Sequence, residues 1–210
     1  KRNNFSLLLT IEANGPEWAC GTKQNKTSCV FKNESDFKKF VQVLLQRYSN
    51  QIDKIQFGNE MLSESFWVGT VDEFIPLANI VNTETKRLSP STEVVLGGFS
   101  TGNLRKFAIC SVGHRFQVFH NGKTIATNSV SEVLCTQDWV KNENANMLKL
   151  LQKVKYDIID IHLYDDVEYW DKIYQSILTV AKKMPVIVSE FGGPLVRCSD
   201  ETKKDCVLAP

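Results

Sequence analysis

Lys54-Ile-Gln-Phe-Gly-Asn-Glu-Met61 reads as a short buried strand that stops at Gly58 and, two residues later, presents a glutamate. Four more runs of this kind lie along the 210 residues: Phe5 to Ile11, Glu93 to Phe99, Asp157 to Leu163 and Pro185 to Ser189. Their hydrophobicity is continuous rather than alternating, the pattern of strands covered on both faces in a parallel sheet. The intervals between them carry helical periodicity. Ser35 to Tyr48 repeats Phe37, Phe40, Val41, Leu44 and Leu45 on one face, with Ser35 as the expected N-cap. Val71 to Leu88 places Phe74, Leu77, Ala78 and Val81 together and stops at Ser89-Pro90. Asn144 to Val154 and Glu168 to Lys183 complete a β-α-β-α-β-α-β-α-β order. Right-handed crossovers turn that order into an α/β fold, a wound parallel sheet or barrel. No repeat, low-complexity tract or linker interrupts it, so residues 1 to 210 are expected to form one domain.

One segment breaks the rhythm. Arg115 to Phe119 and Thr124 to Thr127 flank His120-Asn-Gly-Lys123, and Asn-Gly is a strong two-residue hairpin signal. A β-hairpin is therefore expected after the third strand, either as a rim to a binding cleft on the carboxyl face or as a surface decoration. Cys110 and Cys135 bracket it. Cys20 with Cys29 and Cys198 with Cys206 form two further neighbouring pairs. Six buried thiols of a cytosolic protein are one reading. The polar, turn-rich surroundings of the first and last pairs favour disulfides and secretion instead. No spacing matches a paired zinc pattern, and no metal site or cofactor is expected.

Lys and Arg number 25 against 24 Asp and Glu, so the chain has no net field with which to hold a nucleic acid or an anionic membrane. With 42% hydrophobic residues it can bury a sizeable core, yet no run is long enough to span a bilayer.

Two glutamates follow strands directly: Glu60, and Glu190 in Pro185-Val-Ile-Val-Ser-Glu-Phe-Gly-Gly193. Packing does not require a carboxylate at that place, and in a parallel barrel both would project into one bowl. Glycoside cleavage needs such a pair across the sugar ring, one protonated and one ionised. Between them, in Asp157-Ile-Ile-Asp-Ile-His-Leu-Tyr164, His162 and Tyr164 lie two apart and point to the same side of a strand. The phenol could bond the nucleophile and the imidazole a sugar hydroxyl.

At these residues the chain resembles clan A glycoside hydrolases, the barrel enzymes that include the cellulase-like family five and the xylosidase-like family thirty-nine. Asn59-Glu60, His162-Leu-Tyr164 and Glu190 match that clan's motifs at the ends of its fourth, sixth and seventh strands, in order. The resemblance implies a (β/α)8 barrel in which Glu60 is the acid/base, Asn59 binds the substrate 2-hydroxyl, Glu190 is the nucleophile and Tyr164 orients it. It implies a retaining reaction on a β-linked sugar, without cofactor. It also implies that only strands three to seven are present, with one and two upstream of Lys1 and eight beyond Pro210. A non-catalytic carbohydrate-binding protein on the same scaffold is the competing expectation. Sugar-stacking aromatics would come from Trp18 and Trp67, in loops after strands, whereas Trp139 and Trp170 at helix starts would be packing anchors.

Overall fold

The computed structural model describes residues 5–115, 117–120, 123–126, 133–164, 167–181 and 184–192. In chain order the elements are β1 (Leu8–Ile11), β2 (Cys20–Gln24), β3 (Cys29–Phe31), α1 (Glu34–Tyr48), β4 (Lys54–Phe57), α2 (Val71–Leu88), β5 (Glu93–Phe99) and α3 (Thr101–Cys110). They continue with β6 (Gln117–His120), β7 (Lys123–Ala126), α4 (Asp138–Lys153), β8 (Ile158–Tyr164), α5 (Val167–Ala181) and β9 (Val186–Gly192).

The main sheet has the order β1-β4-β5-β8-β9, and every neighbouring pair is parallel. Each new strand joins beside the one before it and the order never reverses. A doubly wound sheet must reverse, so this is the winding of a barrel. The five strands make a curled half-barrel. The five expected strands all form, with ends shifted by a few residues: the first is shorter, beginning at Leu8, and the last runs through Glu190 to Gly192.

Helices cover one face of the sheet because their apolar stripes and the strands' apolar side chains find each other there. Phe57 of β4 stacks at 5.0 Å on Phe74 of α2 and meets Phe37 of α1 at 5.1 Å. Glu84 of α2, 2% exposed, ties the same two helices together through Lys38 and Gln42 of α1 and is also held by Arg87 of its own helix. A buried carboxylate is tolerated there because three donors surround it.

Four features differ from the sequence-based expectation. The cap of α1 is Asn33, whose side chain accepts from the Ser35 N–H, because the first helical turn begins two residues earlier than a cap at Ser35 would require. Helix α3 has no counterpart in that expectation. Its Ser100 cap and its buried Leu104, Phe107 and Ala108 make it a barrel-type helix directly after β5, so α4 is not alone in separating β5 from β8. The antiparallel pair β2-β3 likewise has no counterpart. Trp139, expected as a packing anchor, is 54% exposed beneath Lys106, 5.1 Å from its ring, whereas Trp170 does pack on the core.

The hairpin forms as β6-β7, antiparallel, with its register running from Gln117↔Ala126 to His120↔Lys123. Disulfides join Cys20 to Cys29 across β2-β3 and Cys110 to Cys135 around the hairpin. Cys198 and Cys206 lie outside the described residues. Among the described residues no helix is long and apolar enough to cross a membrane.

Candidate active site

Glu60 leaves β4 through an abrupt turn. Gly58 (φ 72°) and Glu60 itself (φ 42°) both lie in the left-handed region. That conformation is natural for glycine and strained for glutamate, and strain of this kind concentrates at functional sites. Asn59, between them, lies against Gly98 of β5: a Cβ at Gly98 would stand 2.2 Å from the Asn59 Oδ1. Substituting Gly98 by alanine is therefore expected to displace the Asn59-Glu60 turn. Any activity at this site should fall by about 100-fold, the usual consequence of a displacement near 1 Å. Steady-state kinetics on a variant shown by circular dichroism to be folded would check this.

His162, on β8, has no exposed surface. Its Nδ1 lies 2.8 Å from Glu60 Oε1 and 3.3 Å from Glu190 Oε2, and its Nε2 faces Asp160 Oδ2 at 3.7 Å. Burial draws the imidazole pKa down. The carboxylates of Asp160, Glu60 and Glu190 around the ring outweigh that effect and push it up to about 9. The ring is thus an imidazolium near neutral pH, with Nδ1–H directed at the two glutamates. The expected role for His162, binding a sugar hydroxyl, does not fit this placement, because both ring nitrogens face carboxylates and no ring edge reaches solvent.

Tyr164, two residues on, is 41% exposed and donates from its hydroxyl to Glu190 Oε2 at 3.0 Å. That bond is the main reason its own pKa is raised, since ionising the phenol would lose it. Thr101, at the start of α3, holds the strand end in place. Its hydroxyl accepts from the Tyr164 N–H and donates to the His162 carbonyl, each at 2.7 Å. The Glu60 and Glu190 side chains are 20% and 40% exposed, so both carboxyls sit at the boundary between core and solvent.

One atom from each of Glu60, His162 and Glu190 lies within 4.8 Å of the other two, a cluster small enough to close around a cation. A metal bound there would take the Nδ1 lone pair of His162 in its neutral form.

No protein-family model matches the chain, and no curated protein matches it. Among solved structures, a glucosidase from Croceicoccus marinus aligns over 90% of this chain and 35% of its own, with a TM-score of 0.54 and 14% identity. A monomeric beta-xylosidase from Caulobacter crescentus CB15 aligns over 76% of this chain and 30% of its own, with a TM-score of 0.41 and 13% identity. The chain shares its fold with part of the glucosidase. It spans about a third of that enzyme's length.

The half-barrel thus brings Glu60, Glu190, His162 and Tyr164 together, with Asn59 beside them, but it does not bring in the two tryptophans. Trp67 is only 3% exposed. It packs edge-on against Phe74 at 5.5 Å, and its indole N–H donates to the Thr70 carbonyl at 2.8 Å. It has no free face for a sugar, and its place is the core under the capping box of α2. Trp18 is 70% exposed and lines a cleft of about 520 Å³ between β1 and α1, together with Glu12, Phe37 and Phe40. None of Glu60, His162 or Glu190 lines that cleft. Asp160, Thr101 and Gly98 belong to the site and were missed in the sequence. Asp160 carried a usable signal, since it stands in line with His162 and Tyr164 at alternate positions, where a charged residue in a buried strand calls for a partner.

Proposed function

We propose that this chain carries the catalytic centre of a retaining glycoside hydrolase acting on a β-linked sugar, with Glu190 as nucleophile and Glu60 as acid/base. The observation that carries the reading is the approach of the two carboxyls, with an oxygen of each within 4.8 Å of the other. Retaining enzymes hold their carboxyls about 5 Å apart, whereas inverting ones leave several ångströms more for a water. The fold shared with part of a glucosidase agrees with this reading.

The roles follow from the surroundings. Glu190 is the more exposed carboxyl and receives the Tyr164 hydroxyl, which orients one oxygen and leaves the other to attack an anomeric carbon. Glu60 is the less exposed and lies against the His162 Nδ1, which fixes the oxygen that faces it and leaves the other to protonate the leaving group. In the first step Glu190 forms a bond to the anomeric carbon as the glycosidic bond breaks, and the leaving oxygen takes a proton from Glu60. In the second, water gives a proton to Glu60 and its oxygen displaces Glu190. Asn59, beside the acid, would bind the 2-hydroxyl. The two disulfides are compatible with an extracellular site of action.

The test is a panel of aryl β-glycosides with the product anomer followed by NMR. Turnover with the β-anomer formed first is expected, and a 2-deoxy-2-fluoro glycoside should leave its sugar on Glu190 in a peptide map. If no glycoside is cleaved but oligosaccharides bind, the chain is a non-catalytic carbohydrate-binding protein instead.

A further inference from the structure

The register of β8 against β9 contains one irregularity, and it falls at the nucleophile. Ile161 pairs with Val188, but the next residue, His162, pairs with Glu190. Ser189 is the extra residue of a bulge. Successive strand side chains alternate between faces, so in a regular ladder Ser189 would stand opposite His162 and Glu190 would turn to the other face. A bulge re-aims a side chain in this way at the cost of unpairing the inserted residue.

Asp160 replaces what Ser189 loses. Its Oδ1 accepts the Ser189 backbone N–H at 3.0 Å and its Oδ2 the Ser189 hydroxyl at 2.6 Å. The same Oδ2 stands behind the His162 ring. Asp160 has no exposed surface, so its charge lies where an unopposed carboxylate is strongly disfavoured. The cation that faces it is His162, which is equally buried.

We propose that Asp160 is a positioning residue: it pins the bulge at Ser189 so that Glu190 faces His162, and it backs the imidazolium so that Nδ1–H points between the two glutamates. Its kinetic consequence rests on the glycosidase reading; its structural consequence does not. The groups facing the ring are Asp160 on its own strand, Glu60 after β4, Glu190 on β9 and the Tyr164 phenol, whose ring is 6.4 Å away edge-on. Of these, Asp160 is the one carboxylate wholly inside the core and out of reach of substrate. The Nδ1–H then points at Glu60 Oε1, 2.8 Å away. When Glu60 gives its proton to the leaving oxygen it becomes a carboxylate that accepts from the His162 Nδ1–H, which stays on the ring, and in the second step water returns a proton to Glu60. No proton is gained or lost over the cycle.

Asp160→Asn keeps an acceptor for the Ser189 N–H and removes the charge. In the folded variant, the His162 titration followed by NMR and the alkaline limb of kcat/KM should both move to lower pH by about 1–3 pH units, the usual effect of losing an adjacent opposite charge. A residue that served packing alone would leave both where they were, and unchanged values in a folded Asp160→Asn protein would overturn the proposal. Should that variant fail to fold, the wild-type protein decides. His162 must titrate well above the ordinary value of about 6.5, and a titration at or below it overturns the proposal. Absence of any glycoside turnover would instead refute the hydrolase reading and leave the NMR comparison standing.

Discussion

Replacing Glu190 by alanine is expected to abolish glycoside cleavage, with kcat falling on the order of 10⁴-fold or more, as when a covalent nucleophile is removed. The fold should survive, because the side chain is 40% exposed and its partner Tyr164 is held at its backbone by Thr101. The decisive part is rescue. With the carboxylate gone, a small anion such as azide fits the vacated space and attacks the anomeric carbon from the nucleophile's side. The product is then a glycosyl azide of inverted configuration, formed with help from Glu60 as acid. Glu60→Ala should respond differently. Its second step lacks a base, so the glycosyl ester accumulates, and azide then yields a product of retained configuration. Full activity in Glu190→Ala would remove this residue from the mechanism. The opposite pattern of rescue would exchange the two roles.

How far such a site can be read from the sequence depends on the kind of contact that builds it. The strands were legible because nearly every side chain in them is buried, so runs such as Val94 to Phe99 and Ile158 to Leu163 are dominated by apolar residues on both faces. Glu60 and Glu190 stood out because a carboxylate at a strand end answers to no packing demand. The failures have equally physical causes. Helix α3 is short and opens on Thr-Gly-Asn, so its periodicity is too brief to register beside the hairpin signal that follows. Trp67 stands seven residues after Glu60, which suggested a loop over the site, yet the chain turns it inward to meet Phe74. The bulge at Ser189 cannot be seen in one strand, because it exists only in the register between two. The role of His162 was misjudged for the same reason, since its partners come from three separate segments that only the sheet brings together.

Raising the pH is expected to destabilise the protein through this same histidine. A group that binds its proton more tightly in the native state than in the unfolded chain stabilises fully below its unfolded pKa and loses that contribution as pH rises through its folded value. For His162 the unfolded value is the ordinary 6.5 and the folded one about 9, so the loss falls between these two. Its size is on the order of 3 kcal/mol, since each tenfold gain in affinity for the proton corresponds to about 1.4 kcal/mol. That is a large share of the roughly 5–15 kcal/mol that holds a typical domain. The urea midpoint measured at pH 6 and again at pH 9.5 should fall accordingly. His162→Gln isolates the cause. It leaves the Asp160 carboxylate buried without a cation, which should cost about 3–5 kcal/mol at pH 6, and it should flatten the slope above pH 6.5 because no proton remains to be released there. If the midpoint is level from pH 6 to 9.5 in the wild type, the imidazole is neutral and no cation stands between the two glutamates.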